Sequence, residues 1–189
     1  MRKPSKGVRK DLTQTLTWIR KAAEQGLTDA QYKLGWLYLN GEGVQKDAGQ
    51  AVNWYRKAAE QGLAPAQYDL AVMYANGEGV RSDASQAAHW YRKAAEQGHA
   101  GAQSNLGASY LFGTGVPIDS RAAVEWFRKA AEQGHAGGQA NMGFIYLNGK
   151  GVPDGRGPSD GPAQRRSRVG DHTRLALRHL RQNRRVLCG

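Results

Sequence analysis

The sequence predicts an all-α fold, a right-handed α/α solenoid of 36-residue helix-loop-helix repeats. Three observations carry that prediction. The nonapeptide WYRKAAEQG stands at 54–62 and again at 90–98, with near copies WIRKAAEQG at 18–26 and WFRKAAEQG at 126–134. The interval of 36 between Trp18, Trp54, Trp90 and Trp126 also relates Leu34, Leu70, Leu106 and Met142, and Tyr38, Tyr74, Tyr110 and Tyr146. Self-similarity at a fixed period of this length marks an array rather than a coincidence. Finally, apolar residues inside each unit recur at helical spacing.

The first element of a unit is AQYKLGWLYLN (30–40), with apolar or small residues at Ala30, Leu34, Trp36, Leu37 and Tyr38. That spacing fits a helix, helix A, and not a period-2 strand. Gly41-x-Gly43-Val44 follows, and its copies are Gly77/Gly79, Gly113/Gly115 and Gly149/Gly151. Glycine costs about 1 kcal/mol relative to alanine in a helix interior and favours positive φ in turns, so a loop is predicted there. Asp47-x-x-Gln50, Asp83-x-x-Gln86 and Asp11-x-x-Gln14 then have the capping-box form, in which the glutamine reaches back to the cap. Asp119-x-x-Ala122 keeps only the cap. Helix B runs through Trp54 and the RKAA segment to Gln61-Gly62, where glycine can take the left-handed conformation that ends helices.

One such hairpin cannot bury its apolar stripe alone, so neighbours must stack. Ala or Gly at 35, 71, 107 and 143, and paired alanines such as Ala58-Ala59, let helix axes approach to the ~8 Å end of the usual range. Each copy of the nonapeptide recurs because it fills the same stacking slot.

The full pattern, A-x-x-x-L-G/A-x-x-Y-x-x-G-x-G-V-x-x-D-x-x-x-A-x-x-W-Y/F-R-K-A-A-E-Q-G, resembles the Sel-1-like repeat, a relative of the tetratricopeptide repeat with a longer loop between its helices. The resemblance covers 11–153: a leading helix B, three A-plus-B units (28–63, 64–99 and 100–135) and a trailing helix A. It implies a non-enzymatic adaptor that binds a protein or peptide along its concave helix A face. Assembly of complexes, bacterial signalling and contact with host proteins are all roles the family implies. Carrying tetratricopeptide groove positions onto this chain selects Tyr32, Trp36 and Leu39, then Tyr68 and Val72, then Ser104, Ala108 and Leu111, then Ala140, Phe144 and Leu147. Trp36 and Phe144 are the expected anchors, because interface hot spots favour aromatics. Asn40, Asn76 and Asn148 end helix A and are read first as helix caps, second as clamps on a peptide backbone.

Other candidates have plainer readings. His99 and His135 share one phase, so stacking holds them further apart than two ligands of one zinc. Leu27 and Leu63 fill the same slot in earlier copies, so turn packing is expected and no metal. His89 is read as solvated. Arg56 and Lys57 stand at i+4 and i+3 spacing from Glu60, pairs worth about 0.2–0.5 kcal/mol each. Some cysteine-rich members of the resembled family bind or hydrolyse β-lactams, but this chain has no S-x-x-K, no K-T-G and no paired cysteines. Lacking also G-x-S-x-G, a Walker loop and H-E-x-x-H, it is expected to be no enzyme and to need no cofactor.

The formal charge of +11 suggests nucleic acid until it is located. Residues 1–10 carry +5 and residues 154–189 carry +6, nine arginines against Asp154, Asp160 and Asp171, so 11–153 is neutral. A basic N-terminal tail (1–10), a repeat array (11–153) and an Arg-rich C-terminal tail (154–189) are the predicted divisions. Pro162 stands where the next tryptophan is due and Arg166 where alanine is due. Residues 154–170 read as disordered, and 173–187 as a short basic helix. The switch fits a selected basic tail and equally a change of reading frame. The tails offer nucleic-acid or acidic-surface binding as the alternative function, by charge alone. Exposed, incomplete terminal repeats offer self-association as a third. The one cysteine, Cys188, suits a reducing compartment, and no signal or 18-residue apolar run occurs. As written, the chain is expected in the cytoplasm, with a lost upstream export signal left open.

Overall fold

Eight helices follow one another along residues 7–148, which are the residues the computed structural model describes, with side chains over 14–147. They are α1 (Gly7–Glu24), α2 (Thr28–Asn40), α3 (Ala48–Glu60), α4 (Ala64–Asn76), α5 (Ala84–Glu96), α6 (Ala100–Phe112), α7 (Ser120–Glu132) and α8 (Ala136–Asn148). No strand occurs among the described residues. Even-numbered helices are helix A and odd-numbered ones helix B; each packs against the next, and α6 also meets α8. This is an α/α solenoid. Contacts divide the chain into Met1–Val152 and Pro153–Gly189, and the readings made above of 154–189 lie outside the described residues.

Helix A ends as the glycines dictate. Gly41 takes φ +74° and its N–H donates to the Leu37 carbonyl at 2.9 Å. The loop then returns, the Asp47 N–H donates to Tyr38 O at 2.9 Å, and Asp47 Oδ1 accepts from the Gln50 N–H at 3.0 Å to cap α3. The reciprocal half of the predicted capping box does not form, because the cap's own N–H is already taken by the tyrosine carbonyl. Asp83 and Asp119 repeat this arrangement with Tyr74 and Tyr110. α1 begins at Gly7, upstream of Asp11, and so includes residues assigned above to the N-terminal tail; the Asp11 side chain lies outside the described ones. Helix B closes with Gly62 at φ +93° and the Leu63 N–H on Ala58 O at 3.2 Å, a Schellman-type ending.

The small residue at 35, 71, 107 is what lets B lie on A. A Cβ on Gly35 would stand 2.7 Å from the Tyr55 ring, and one on Gly107 2.8 Å from the Phe127 ring. Leu34, Leu70, Leu106, Tyr55 and Phe127 are fully buried around these contacts. A polar line runs beside them: buried Gln31, Gln67 and Gln103 each donate to an alanine carbonyl of the preceding helix B (Ala23, Ala59, Ala95). Each also accepts from Gln61, Gln97 or Gln133 at 2.6–2.7 Å. These glutamines recur at interval 36, yet apolar patterning does not single them out; they are the satisfied polar groups a close-packed hairpin requires.

The RKAA segment is held differently from the expectation. Lys57 sits 4.0 Å over the Trp54 ring, and Lys21, Lys93 and Lys129 sit 4.8, 4.9 and 4.2 Å over Trp18, Trp90 and Trp126. Arg56 donates to Tyr74 Oη of the next helix A at 3.1 Å, as Arg20 does to Tyr38 and Arg92 to Tyr110. The cations are engaged by aromatic partners and not by Glu60, which gives lysine, arginine and the two aromatic series one shared purpose.

Candidate functional site

Tyr32, Trp36 and Leu39 lie on α2, Tyr68 and Val72 on α4, Leu111 on α6, and Phe144 and Leu147 on α8. The first six are half-buried and packed against the core clusters, whereas Phe144 is 38% and Leu147 88% exposed. Large apolar surface on these helices is thus concentrated at α8, with Trp36 partly open at the other end. Lys33 stands 4.9 Å over the Trp36 ring.

Between those ends the helix A face is tied across repeats. Tyr32 Oη donates to Asp69 Oδ2 at 3.0 Å, and Asn141 Nδ2 donates to Ser104 Oγ at 3.4 Å, each pair 37 residues apart. The Tyr68 hydroxyl faces the Asn105 side chain in the same relation. The Tyr32 ring also lies 5.4 Å from that of Tyr55, and Tyr68 6.0 Å from Tyr91. Variation among Tyr32, Tyr68 and Ser104 therefore tracks variation in the partner position 69, 105, 141. The sequence signal was present, but only at period plus one.

Burial pushes the Asp69 carboxyl up to about 6, with the Tyr32 hydroxyl bond opposing the shift. An unfolded aspartate titrates near ~3.9. Below that value both states are protonated and burial costs nothing; as pH rises through about 6 the folded state must hold a desolvated charge. Stability is therefore expected to fall between about pH 4 and 6 on this group's account, and Asp69→Asn, which keeps an acceptor for Tyr32, to gain roughly 1–3 kcal/mol at pH 7. Urea unfolding of both forms across that range checks it; parallel pH profiles would refute the assignment.

His99 Nδ1 accepts from the Ala102 N–H at 3.1 Å and His135 Nδ1 from the Gly138 N–H at 3.2 Å, so both cap the next helix A. His99 also stacks on Tyr68 at 4.4 Å, and burial lowers its pKa. Asn40 Nδ2 donates to Trp36 O at 2.9 Å, a helix-end bond; the Asn148 side chain lies outside the described residues. Two hollows lie on the loop edge and not on the helix A face. One, of about 600 Å³, is lined by Tyr74, Val80, Arg81, Ser82, Asp83 and Gln86. The other, one repeat earlier, includes Tyr38, Val44 and Asp47. The loop positions between valine and aspartate vary between copies, which hid these hollows from a reading by period.

The Sel1 repeat model matches residues 3–27, 28–63, 64–99, 100–135 and 136–154. The chain belongs to the Sel1 repeat family. Sel1 repeat proteins are generally protein-interaction scaffolds. Among solved structures the chain is similar to a protective antigen of uropathogenic Escherichia coli with an SLR fold, at 50% identity and TM-score 0.73, covering 76% of this chain and 31% of that one. It is also similar to a Sel1 repeat protein from Oxalobacter formigenes, at 38% identity and TM-score 0.70, covering 75% and 56%. Helicobacter pylori cysteine rich protein B matches at 25% identity and TM-score 0.55, covering 73% and 99%. This Sel1 chain therefore spans about a third and just over half of the first two relatives, and its single cysteine separates it from the third. No curated protein matches it. No described helix is long and apolar enough to cross a membrane. The basic stretches 1–10 and 154–189 lie outside the described side chains.

Proposed function

We propose that this Sel1 repeat chain is a non-catalytic adaptor that binds a protein or peptide along its helix A face, anchored at Trp36 and at Phe144 and Leu147. The observation that carries the reading is the exposure of large apolar side chains on helix A of α8, 38% at Phe144 and 88% at Leu147, where the same helix face further back is closed by inter-repeat bonds. Tyr32, Leu39, Tyr68, Val72 and Leu111 then act as the walls of the surface, half-buried and pre-ordered by the core. Rigid walls with few open anchors reduce the ordering cost of binding.

The test is affinity capture by the full chain from nuclease-treated lysate, in low and in 0.5 M salt (roughly three times physiological ionic strength, which shortens the Debye length from about 8 Å to about 4 Å), against Trp36→Ala/Phe144→Ala. Truncating a hot-spot aromatic costs roughly 2 kcal/mol, about 30-fold in affinity, so the double variant is expected to lose the partner that the wild type keeps in salt. Equal capture by both chains would refute groove binding, and capture that salt alone removes would hand the function to the basic stretches.

A further inference from the structure

We infer that His99 and His135 make the starts of α6 and α8 acid-sensitive: protonation of either imidazole withdraws the acceptor that caps its helix, while α2 and α4 keep their starts. The two Nδ1 atoms accept from the Ala102 N–H at 3.1 Å and the Gly138 N–H at 3.2 Å. Only an unprotonated ring nitrogen accepts, so both rings carry their proton on Nε2 in this arrangement. The same slot holds Leu27 before α2 and Leu63 before α4, and neither makes a side-chain bond to its helix. One turn therefore exists in two chemistries within the chain, one that titrates and one that does not. A second position changes with it. A Cβ on Gly101 would stand 3.3 Å from His99 Cε1 and one on Gly137 3.0 Å from His135 Cε1, so glycine makes room for the capping ring, where Asp29 and Pro65 follow the leucines.

Protonation opposes each cap twice. A proton on Nδ1 sets donor against donor at the Ala102 or Gly138 amide, and the imidazolium then stands at the positive end of a helix macrodipole. The ring must swing out, and the amide loses its partner. Nothing around the rings offers a compensating anion. From α4, His99 meets the Tyr68 ring, stacked at 4.4 Å, and Asp69 beside that tyrosine is bonded to Tyr32. The charged group that bears on His99 is His135, whose own protonation adds repulsion. From α6, the side chain that reaches the start of α8 is the neutral Ser104 hydroxyl. Glu96 and Glu132, at the ends of α5 and α7, are exposed, and among the described residues neither forms an ion pair with a histidine.

Burial first, and His135 second, hold the His99 imidazole below its ordinary value near ~6.5. Above that value the folded and the unfolded chain are both neutral here. Below it the unfolded chain takes the proton first, so stability falls as pH drops from about 6.5 towards the lower folded value. The sign is opposite to that of Asp69. The device also links acidity to α8, the helix that carries Phe144 and Leu147; that consequence alone rests on the binding proposed above.

Amide NMR and hydrogen exchange of the full chain between about pH 7.5 and 5 test this, across the range in which imidazole titrates. The Ala102 and Gly138 amide resonances are expected to follow the histidine titration, and their protection, corrected for intrinsic exchange, to fall about fivefold, the usual effect of losing a capping side chain. The equivalent amides of Ala30 and Ala66, in the helices that start after leucine, are expected not to respond. His99→Leu/His135→Leu copies the earlier repeats and is expected to abolish the response. His99→Asn/His135→Asn supplies an acceptor that does not titrate, and is expected to keep both amides protected at the acid end, with circular dichroism as the check on folding. An equal response at all four amides overturns the proposal, because the whole array then loosens together. So do imidazoles that titrate while Ala102 and Gly138 stay unmoved, and so does a response that survives in the leucine variant. No partner enters the measurement, so its failure leaves the binding proposal standing.

Discussion

Replacing Gly115 by alanine is expected to cost roughly 2–5 kcal/mol, while the same change at Gly43 costs about 1–2 kcal/mol. Both glycines are the second of a G-x-G pair, and both sit in the left-handed region, at φ +74° and +72°. An L-residue there costs about 1–2 kcal/mol whatever its neighbours. The difference lies in what faces the missing side chain. A Cβ on Gly115 would overlap the Ala84 carbonyl at the start of α5, and one on Gly79 would overlap that of Ala48 at the start of α3. On Gly43 it would meet only the Leu16 side chain, at 3.9 Å. Backbone at a helix start cannot retreat as a side chain can, so the loop must lift off the repeat beneath it, and overpacking of that kind typically adds 1–3 kcal/mol. Urea unfolding of the three variants, followed by tryptophan fluorescence, measures the contrast. Equal losses at 43, 79 and 115 would mean that the loops do not rest on the preceding repeat.

The second large effect belongs to Tyr55. Its ring is fully buried, fills the slot left by Gly35, and packs against Tyr32. Tyr55→Ala empties that slot and is expected to cost about 3–5 kcal/mol. Tyr55→Phe is expected to act in the opposite direction. Among the described residues Tyr55 Oη is a buried hydroxyl without a hydrogen-bond partner, and the equivalent position on α7 is already Phe127. Removing an unsatisfied polar group while keeping the ring is worth about 1 kcal/mol. Thermal unfolding separates the two substitutions. A Tm that falls with phenylalanine would show that the hydroxyl has a partner, such as a bound water.

Much of the architecture was legible. The period located every described helix except the start of α1, the glycines located the loops between them, and the aspartates located three caps, because each of these depends on residues within a turn or two of one another. The candidate surface was legible only in part. Tyr32 and Tyr68 were selected as recognition residues by their phase, and the structure turns each towards the following repeat, Tyr32 bonded to Asp69 and Tyr68 facing Asn105. The reciprocal half of the capping box and the Glu60 pairs each gave way to a closer group: the Tyr38 carbonyl of the preceding helix takes the Asp47 N–H, and Lys57 lies over the Trp54 ring of its own helix.

The tryptophans show where the division falls. Sequence alone determined that Trp18 and Trp90 hold the same place in the same helix of the same repeat, that the array is neutral, and that it is all-α. Those are properties of local chain chemistry repeated at a fixed interval. Only the tertiary structure decided that one of these tryptophans is 66% exposed and the other 7%, that Gly143 faces open space while Gly107 is filled, and that α8 carries the open apolar surface. Burial is set by what stacks on a repeat, and identical letters at the end and in the middle of an array have different neighbours.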